Sequence, residues 1–170
     1  YLEQDALAGD HDRVKADMQR IIDATNKMQQ LLNELLELSR IGRLKNEPVA
    51  VSFADLAREA VDLSQGRIMD GRITVHMDED MPSVFGDRQR LLEAVQNLVD
   101  NAAKFSSGGN APSIDIGYDG EDGAMHVFHV SDNGIGIPPE HHERIFGLFN
   151  KLDVKTDGTG IGLAIVKRII

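Results

Sequence analysis

The chain has 170 residues, enough for one good core with an accessory element and too few for two large domains. It is 41% hydrophobic and 27% charged, ordinary for a globular protein, and its net charge of −10 argues against a nucleic-acid partner, which wants a basic face. The lack of Cys excludes disulfides and cysteine metal sites, and no apolar run approaches the roughly 20 residues that cross a bilayer.

Tyr1 in place of Met reads as the start of an excised fragment, with no signal peptide visible. Tyr1–Ala8 looks like the tail of an earlier element ended by Gly9-Asp10. Apolar residues then recur at spacings of four and three: Val14, Met18, Ile21, Thr25, Met28, Leu32, Leu35 and Ser39. This is a heptad seam interrupted only by Thr25 and Ser39. Ile22, Leu31, Leu36 and Leu38 widen it to the breadth expected inside a helical bundle. Gly42 and the polar stretch Arg43–Glu47, before Pro48, end the helix and begin a linker. Such a helix either packs on its own domain or joins other helices; its length and regular seam favour a dimerisation arm.

Val49–Phe53 alternates as a short strand. Phe53, Leu56, Ala57, Ala60, Val61 and Leu63 follow at helical spacing, closed by Gly66. Arg72–Met77 reads as a strand with Ile73, Val75 and Met77 on one face, followed by an acidic turn and the extended piece Pro82–Asp87. Asp87 is a plausible N-cap for a helix starting at Arg88. All of this reads as scaffold.

Over 88–105 the helical projection puts Leu91, Val95, Leu98, Ala102 and Phe105 on one side. Glu93, Asn97, Asn101 and Lys104 fall opposite them, within an arc of roughly 80°. A polar helix face is usually a solvated one. Two asparagines a turn apart are nevertheless odd there, since Asn forms helices poorly. Their side-chain oxygens, with a Lys a turn further on, would suit an octahedral Mg²⁺ carrying phosphates. A polyanion can bind locally in this way even on an acidic chain.

Ser113–Tyr118 alternates, Asp119–Gly123 turns, and Ala124–Val130 returns, giving a hairpin. The returning strand runs into Ser131–Pro139, SDNGIGIPP. Here Asp132 meets Asn133-Gly134, Gly136 follows, and two prolines stiffen the exit. This stretch is either a turn closed by an Asx hydrogen bond or a carboxylate set under bare backbone for a flat ligand. An amphipathic segment with Ile145, Phe146, Leu148 and Phe149 comes next, then the polar stretch Asn150–Asp157. Gly158-Thr159-Gly160-Ile161-Gly162 is a second glycine cluster; Gly160–Lys167 reads as a helix with a glycine-rich first turn, and amides exposed at such a start bind phosphate well. Its G-x-G-x-G spacing after a polar loop fits neither the dinucleotide fingerprint nor a Walker loop. The two glycine clusters and the Asn-bearing helix are expected to form one pocket.

Taken together, the blocks resemble the ATP-binding domain of sensor histidine kinases, in the superfamily shared with gyrase, mismatch-repair ATPases and a heat-shock chaperone. Asn97–Phe105 looks like the N box, Asp132–Gly136 and Gly158–Gly162 like the two glycine boxes, and Phe146 with Phe149 like the F box. The helix over 10–41 is similar to the second helix of the dimerisation domain that precedes this fold. The resemblance covers essentially the whole chain. It implies an α+β fold: a two-layer α/β sandwich whose mixed, mostly antiparallel sheet is covered by helices on one face, preceded by a long helix. Residues 1–45 would be part of a dimerisation and histidine-phosphotransfer domain, and 46–170 the catalytic domain. The family continues past the position of Ile170 with a turn and two strands, so the sheet is expected to be incomplete.

The resemblance further implies that Asp132 accepts from the adenine amino group while Gly134 and Gly136 let base and backbone lie close. Asn97 and Asn101 would face Mg²⁺ and phosphates, Lys104 a phosphate, and Phe105 the nucleotide edge. Gly158, Gly160 and Gly162 would hinge a lid. Hydrolysing relatives carry a glutamate base at the position of Asn97; an asparagine takes no proton, which favours transfer to a protein acceptor. His11 lacks the family's His-acid-apolar-basic-x-Pro setting, so the phosphoaccepting histidine is expected upstream of Tyr1, and the remaining histidines (His76, His126, His129, His141, His142) read as ordinary surface or core residues.

The expected function is therefore the Mg-ATP-binding module of a two-component histidine kinase, which binds ATP without autophosphorylating by itself. Its expected partners are a second copy through the N-terminal helix and, for the intact protein, a response regulator; the fragment is read as cytoplasmic, whether or not the intact protein carries a membrane anchor. The rivals are a hydrolytic ATPase or serine kinase of the same superfamily, and an assembly module that has lost nucleotide binding.

Overall fold

The computed structural model describes residues 11–40, 46–106, 109–151 and 158–170. The expectations for Tyr1–Ala8, for the Gly42 stop and for most of the polar stretch before Gly158 lie outside the described residues.

A 30-residue helix, α1 (His11–Arg40), comes first, as the heptad seam predicts. Most of its apolar stripe is exposed, with Met18, Ile21, Met28 and Leu32 all more than half so. Leu31, Leu35 and Leu38 instead pack, with Ile169, on Ile161 and Ile165 near the end of the chain. One helix thus carries two apolar faces, and among the described residues only the one with Leu31, Leu35 and Leu38 is covered.

Strand β1 (Val49–Ser52) leads into α2 (Phe53–Leu63), whose N-cap Ser52 accepts a hydrogen bond from the Asp55 amide at 3.3 Å. Gly66 does not close this segment. The chain breaks at Ser64 and turns into a short helix, α3 (Gln65–Asp70), with Gly66 inside it and Gly71 as its cap. Burial of Ile68 holds that turn, so a tertiary contact overrides the glycine signal. The next strand, β2, starts at Thr74 rather than Arg72 and runs to Met77. Arg72 is excluded from it because its φ is +51°, the left-handed turn that follows α3. Strand β3 (Ser83–Gly86) pairs antiparallel with β1, giving a two-stranded ribbon of its own.

Helix α4 (Arg88–Ser106) is capped as expected: Asp87 Oδ1 accepts from the Gln89 and Arg90 amides at 3.1 and 3.3 Å. The Asn46 amide and side chain also donate to this carboxylate, tying the segment that leads into β1 to the start of the helix. Its buried stripe is Ala94, Val95, Val99, Ala102, Ala103 and Ser106. Leu98 and Phe105, grouped by the projection with Leu91, Val95 and Ala102, lie half-buried and line a cavity. Small Ala94, Ala102 and Ala103 let α4 approach α2 and the sheet closely, which rotates the two larger residues off the core face.

Strands β4 (Ser113–Asp122) and β5 (Met125–Asp132) form an antiparallel hairpin, and β2 joins β4 in parallel, in the order β2-β4-β5. The turn expected over Asp119–Gly123 is shorter. A register shift between Tyr118 and Gly120 marks a bulge, Gly120 takes φ +102°, and the ladder continues to Asp122. After β5 the segment around Ile145 and Phe146 makes two 3₁₀ turns, Pro139–His141 and Arg144–Phe146, rather than a longer helix. The final helix, α5 (Gly162–Ile169), starts two residues later than expected because Gly160 is left-handed, with φ +77°.

The main core joins Leu56, Ala57 and Ala60 of α2 and Val95, Val99 and Ala103 of α4 to Ile114 and Ile116 of β4. Phe53 stacks on Phe128 at 3.7 Å between ring centroids. Helices on one face of a mixed sheet, behind a long first helix, make the α+β arrangement expected from the sequence.

Candidate functional site

A cavity of about 1040 Å³ opens between α4, the β5 exit and the start of α5. Asn97, Asn101, Lys104 and Phe105 line it from α4, Asp132 and Gly136 from the β5 exit, and Gly158, Gly160 and Gly162 from the last glycine cluster. Nine of the ten residues singled out in the sequence thus face one space, on three elements separate in the chain. The volume lies at the upper end of ordinary ligand pockets.

Gly134 is the exception. A methyl group there would collide with the Phe105 carbonyl oxygen, and that oxygen also accepts from the Ile135 amide at 3.4 Å. Gly134 seats the β5 exit on the C-terminal end of α4 and lies outside the cavity wall. Close backbone packing by itself calls for glycine at this position.

The β5 exit is fixed by its own polar groups. Asp132 Oδ1 accepts from the Gly134 amide at 2.9 Å, closing the Asx turn, and the same carboxylate reaches the cavity. The two readings of this stretch are therefore compatible: the turn fixes one carboxylate oxygen and so orients the other. Asn133 accepts from the Ser113 amide at 2.8 Å and donates to the Ala111 carbonyl at 3.0 Å, locking the exit to the start of β4. That bond crosses 20 residues, so sequence spacing did not signal it.

On α4, Asn97 Nδ2 donates to the Glu93 carbonyl at 2.8 Å, which leaves Oδ1 on the side of the glycine cluster. A Cβ at Gly162 would stand 2.5 Å from that oxygen, so only glycine lets the two elements meet. Glu93 itself turns away to Arg90, at 2.6 Å, and takes no part in the wall. The Lys104 ammonium lies 4.6 Å from the Phe105 ring centroid, and a Cβ on Gly158 would come within 2.9 Å of it. One end of the cavity thus gathers an ammonium, an amide oxygen and a glycine-rich helix start, chemistry suited to phosphates. The β5 exit offers an oriented carboxylate, suited to a hydrogen-bond donor on a flat ring.

Asparagine oxygens are hard neutral donors that fit Mg²⁺. Among the described residues no group of three or more His, Asp or Glu side chains is placed to hold a metal. A cation at Asn97 and Asn101 would therefore complete its shell with oxygens from the ligand.

Sequence reasoning missed one wall. Gln30 and Glu34 of α1 line the same cavity, and Glu34 Oε2 accepts a hydrogen bond from the Thr159 hydroxyl. Nothing in the heptad pattern distinguishes Glu34 from an ordinary solvated glutamate. Arg67, 3.9 Å from Asp100, was likewise read as scaffold and also lines the cavity.

A family model described as histidine kinase-, DNA gyrase B- and HSP90-like ATPase matches residues 86–170, and the chain belongs to that family. Several of the similar proteins are named histidine kinases, and residues 86–170 correspond to the ATPase domain that the family model describes. The methanogenesis regulatory histidine kinase FilI of Methanothrix harundinacea (strain 6Ac) is 42% identical over 170 residues, all of this chain and 19% of FilI. Full-length ShkA, solved in complex with AMPPNP, superposes with a TM-score of 0.70 at 28% identity, covering 92% of this chain and 33% of ShkA. Histidine kinase ThkA, solved with the response regulator TrrA, gives a TM-score of 0.65 at 26% identity, covering 92% of this chain and 44% of ThkA. The chain thus spans about a fifth of the curated relative and under half of either solved protein.

Proposed function

We propose that this chain is the nucleotide-binding part of a protein-histidine kinase, and that it positions Mg-ATP for phosphoryl transfer to a histidine elsewhere in the intact protein. In this reading residues 46–170 are the catalytic unit, and α1 belongs to the dimerisation and phosphotransfer unit, where it meets a second copy through its exposed stripe. The observation that carries the reading is the convergence of Asp132 with Asn97, Asn101 and Lys104 on one cavity.

Asp132 would accept from the adenine amino group through the oxygen not engaged by Gly134. Gly136, left-handed with φ +67°, would let the base lie against bare backbone. Phe105 would cover the nucleotide edge. Asn97 and Asn101 would hold Mg²⁺, which when bound neutralises charge on the phosphates. Lys104 and the amides after Gly158 and Gly160 would orient the terminal phosphoryl group. The rate would come from positioning and charge neutralisation, since Asn97 cannot take a proton from water. This favours a protein acceptor over hydrolysis. A response regulator would receive the phosphoryl group from the intact protein. No described helix is long and apolar enough to cross a membrane.

The reading is tested by mixing the chain with a purified histidine-bearing fragment of the intact protein and labelled ATP. Acid-labile label on that fragment is expected. Acid-stable label would favour a serine kinase, release of phosphate alone a hydrolytic ATPase, and no nucleotide binding a purely assembling module.

A further inference from the structure

We propose that Glu34 of α1 senses which nucleotide is bound. Its carboxylate takes the place on the glycine cluster that a terminal phosphate would take, so α1 holds the cluster when the site is empty or carries a diphosphate and yields it to a triphosphate. The inference rests on the reading above, in which Gly158–Gly162 and Lys104 face the phosphates.

Both Glu34 oxygens are engaged. Oε1 accepts from Gln30 Nε2 at 2.9 Å, one turn back on α1, and Oε2 accepts from the Thr159 hydroxyl. Gln30, Glu34 and Thr159 all line the cavity, and Lys104 stands beside Gly158 at the same end. Burial gives no reason for an acid here. Its neighbours on α1 are Leu31, Leu35 and Leu38, which cover Ile161 within the cluster and Ile165 one turn into α5. The contact sets an anion on the Thr159 hydroxyl, beside the backbone amides expected to take phosphate.

A carboxylate and a terminal phosphate cannot share the Thr159 position, because like charges repel strongly inside a partly desolvated cavity. ADP brings no terminal phosphate and leaves the contact in place. The difference in affinity between the docked and released states is what moves the equilibrium. With α1 docked for most of the time, apparent ATP affinity is lowered by the released fraction, while ADP affinity is not.

Calorimetric titration of ATP and ADP into the chain and its Glu34→Ala variant tests this. ATP is expected to bind about tenfold tighter to the variant, with ADP changed by less than about twofold. Glu34→Gln keeps an acceptor for Thr159 without the charge and should recover a smaller part of the gain. The chain has no native Cys, so spin labels at Asn33→Cys and Arg168→Cys report the α1–α5 distance independently. A non-hydrolysable ATP analogue should lengthen it, and ADP should not. Unchanged or weaker ATP binding by Glu34→Ala, or equal label distances with the two nucleotides, would overturn the inference while leaving the nucleotide site intact. Failure of the unaltered chain to bind either nucleotide would overturn both.

Discussion

Gly162 makes its case through a single missing methyl group. Its α-carbon sits against Asn97 Oδ1, where a Cβ would stand only 2.5 Å from the oxygen. Gly162→Ala must therefore push α5 away or turn the Asn97 amide, and either movement disturbs the end assigned to phosphates. ATP affinity is expected to fall by about tenfold or more, on the scale of overpacking strain, with far-UV circular dichroism unchanged. Full retention of affinity would mean that the contact between α4 and the glycine cluster has no part in binding. The general type of the site residues was legible from the chain because glycine and asparagine in these places oppose local propensity. Gly134 shows the limit: its signal was real, but what it accommodates is the Phe105 carbonyl, a neighbour visible only in three dimensions.

At the level of elements, the hairpin of β4 and β5 carries a proton-dependent fastening on the sheet. His129 Nδ1 lies 2.9 Å from Asp119 Oδ1, and Nε2 lies 3.1 Å from Asp115 Oδ1. A neutral imidazole donates from one nitrogen only, so satisfying both carboxylates requires the imidazolium. The hydrogen bond to Asp115, with that to Asp119 and the charges of both, outweighs burial and raises the His129 pKa above its usual 6.5. Below these sits Gly117, where a Cβ would stand 2.5 Å from Asp78 Oδ2 and 2.6 Å from the His129 ring. Because the folded value is raised, the stabilisation is complete below the unfolded pKa and is lost as pH climbs through the folded one. Urea midpoints should fall as pH rises above the usual histidine value of about 6.5 in the unaltered chain, and less so in His129→Gln. Equal pH dependence in the two would show that the fastening contributes nothing. From the sequence His129 was an ordinary residue, since its partners emerge only once the strand register is set. The same holds for the bulge at Gly120, which carried the ladder past the expected turn.

For the molecule as a whole, layer order and cavity position were readable because hydrophobic period and motif order are local properties. The split fate of α1 was not. Its seam predicts one partner, whereas Leu31, Leu35 and Leu38 cover α5 and Met18, Ile21, Met28 and Leu32 stay exposed. Periodicity tells that a face wants covering and leaves unsaid which surface covers it. The exposed part is the face expected to meet a second copy. Everything functional turns on whether Asp132 and the α4 asparagines serve one adenine nucleotide. Asp132→Asn tests this most cleanly, since an asparagine oxygen can still accept from the Gly134 amide and keep the turn. Its amide nitrogen then meets the adenine amino group donor to donor, a mismatch on the order of 3 kcal/mol or about 100-fold. Calorimetric titration of Mg-ATP should give clear binding to the unaltered chain and none detectable to Asp132→Asn, at matching urea midpoints; equal affinity in the two proteins would contradict the account.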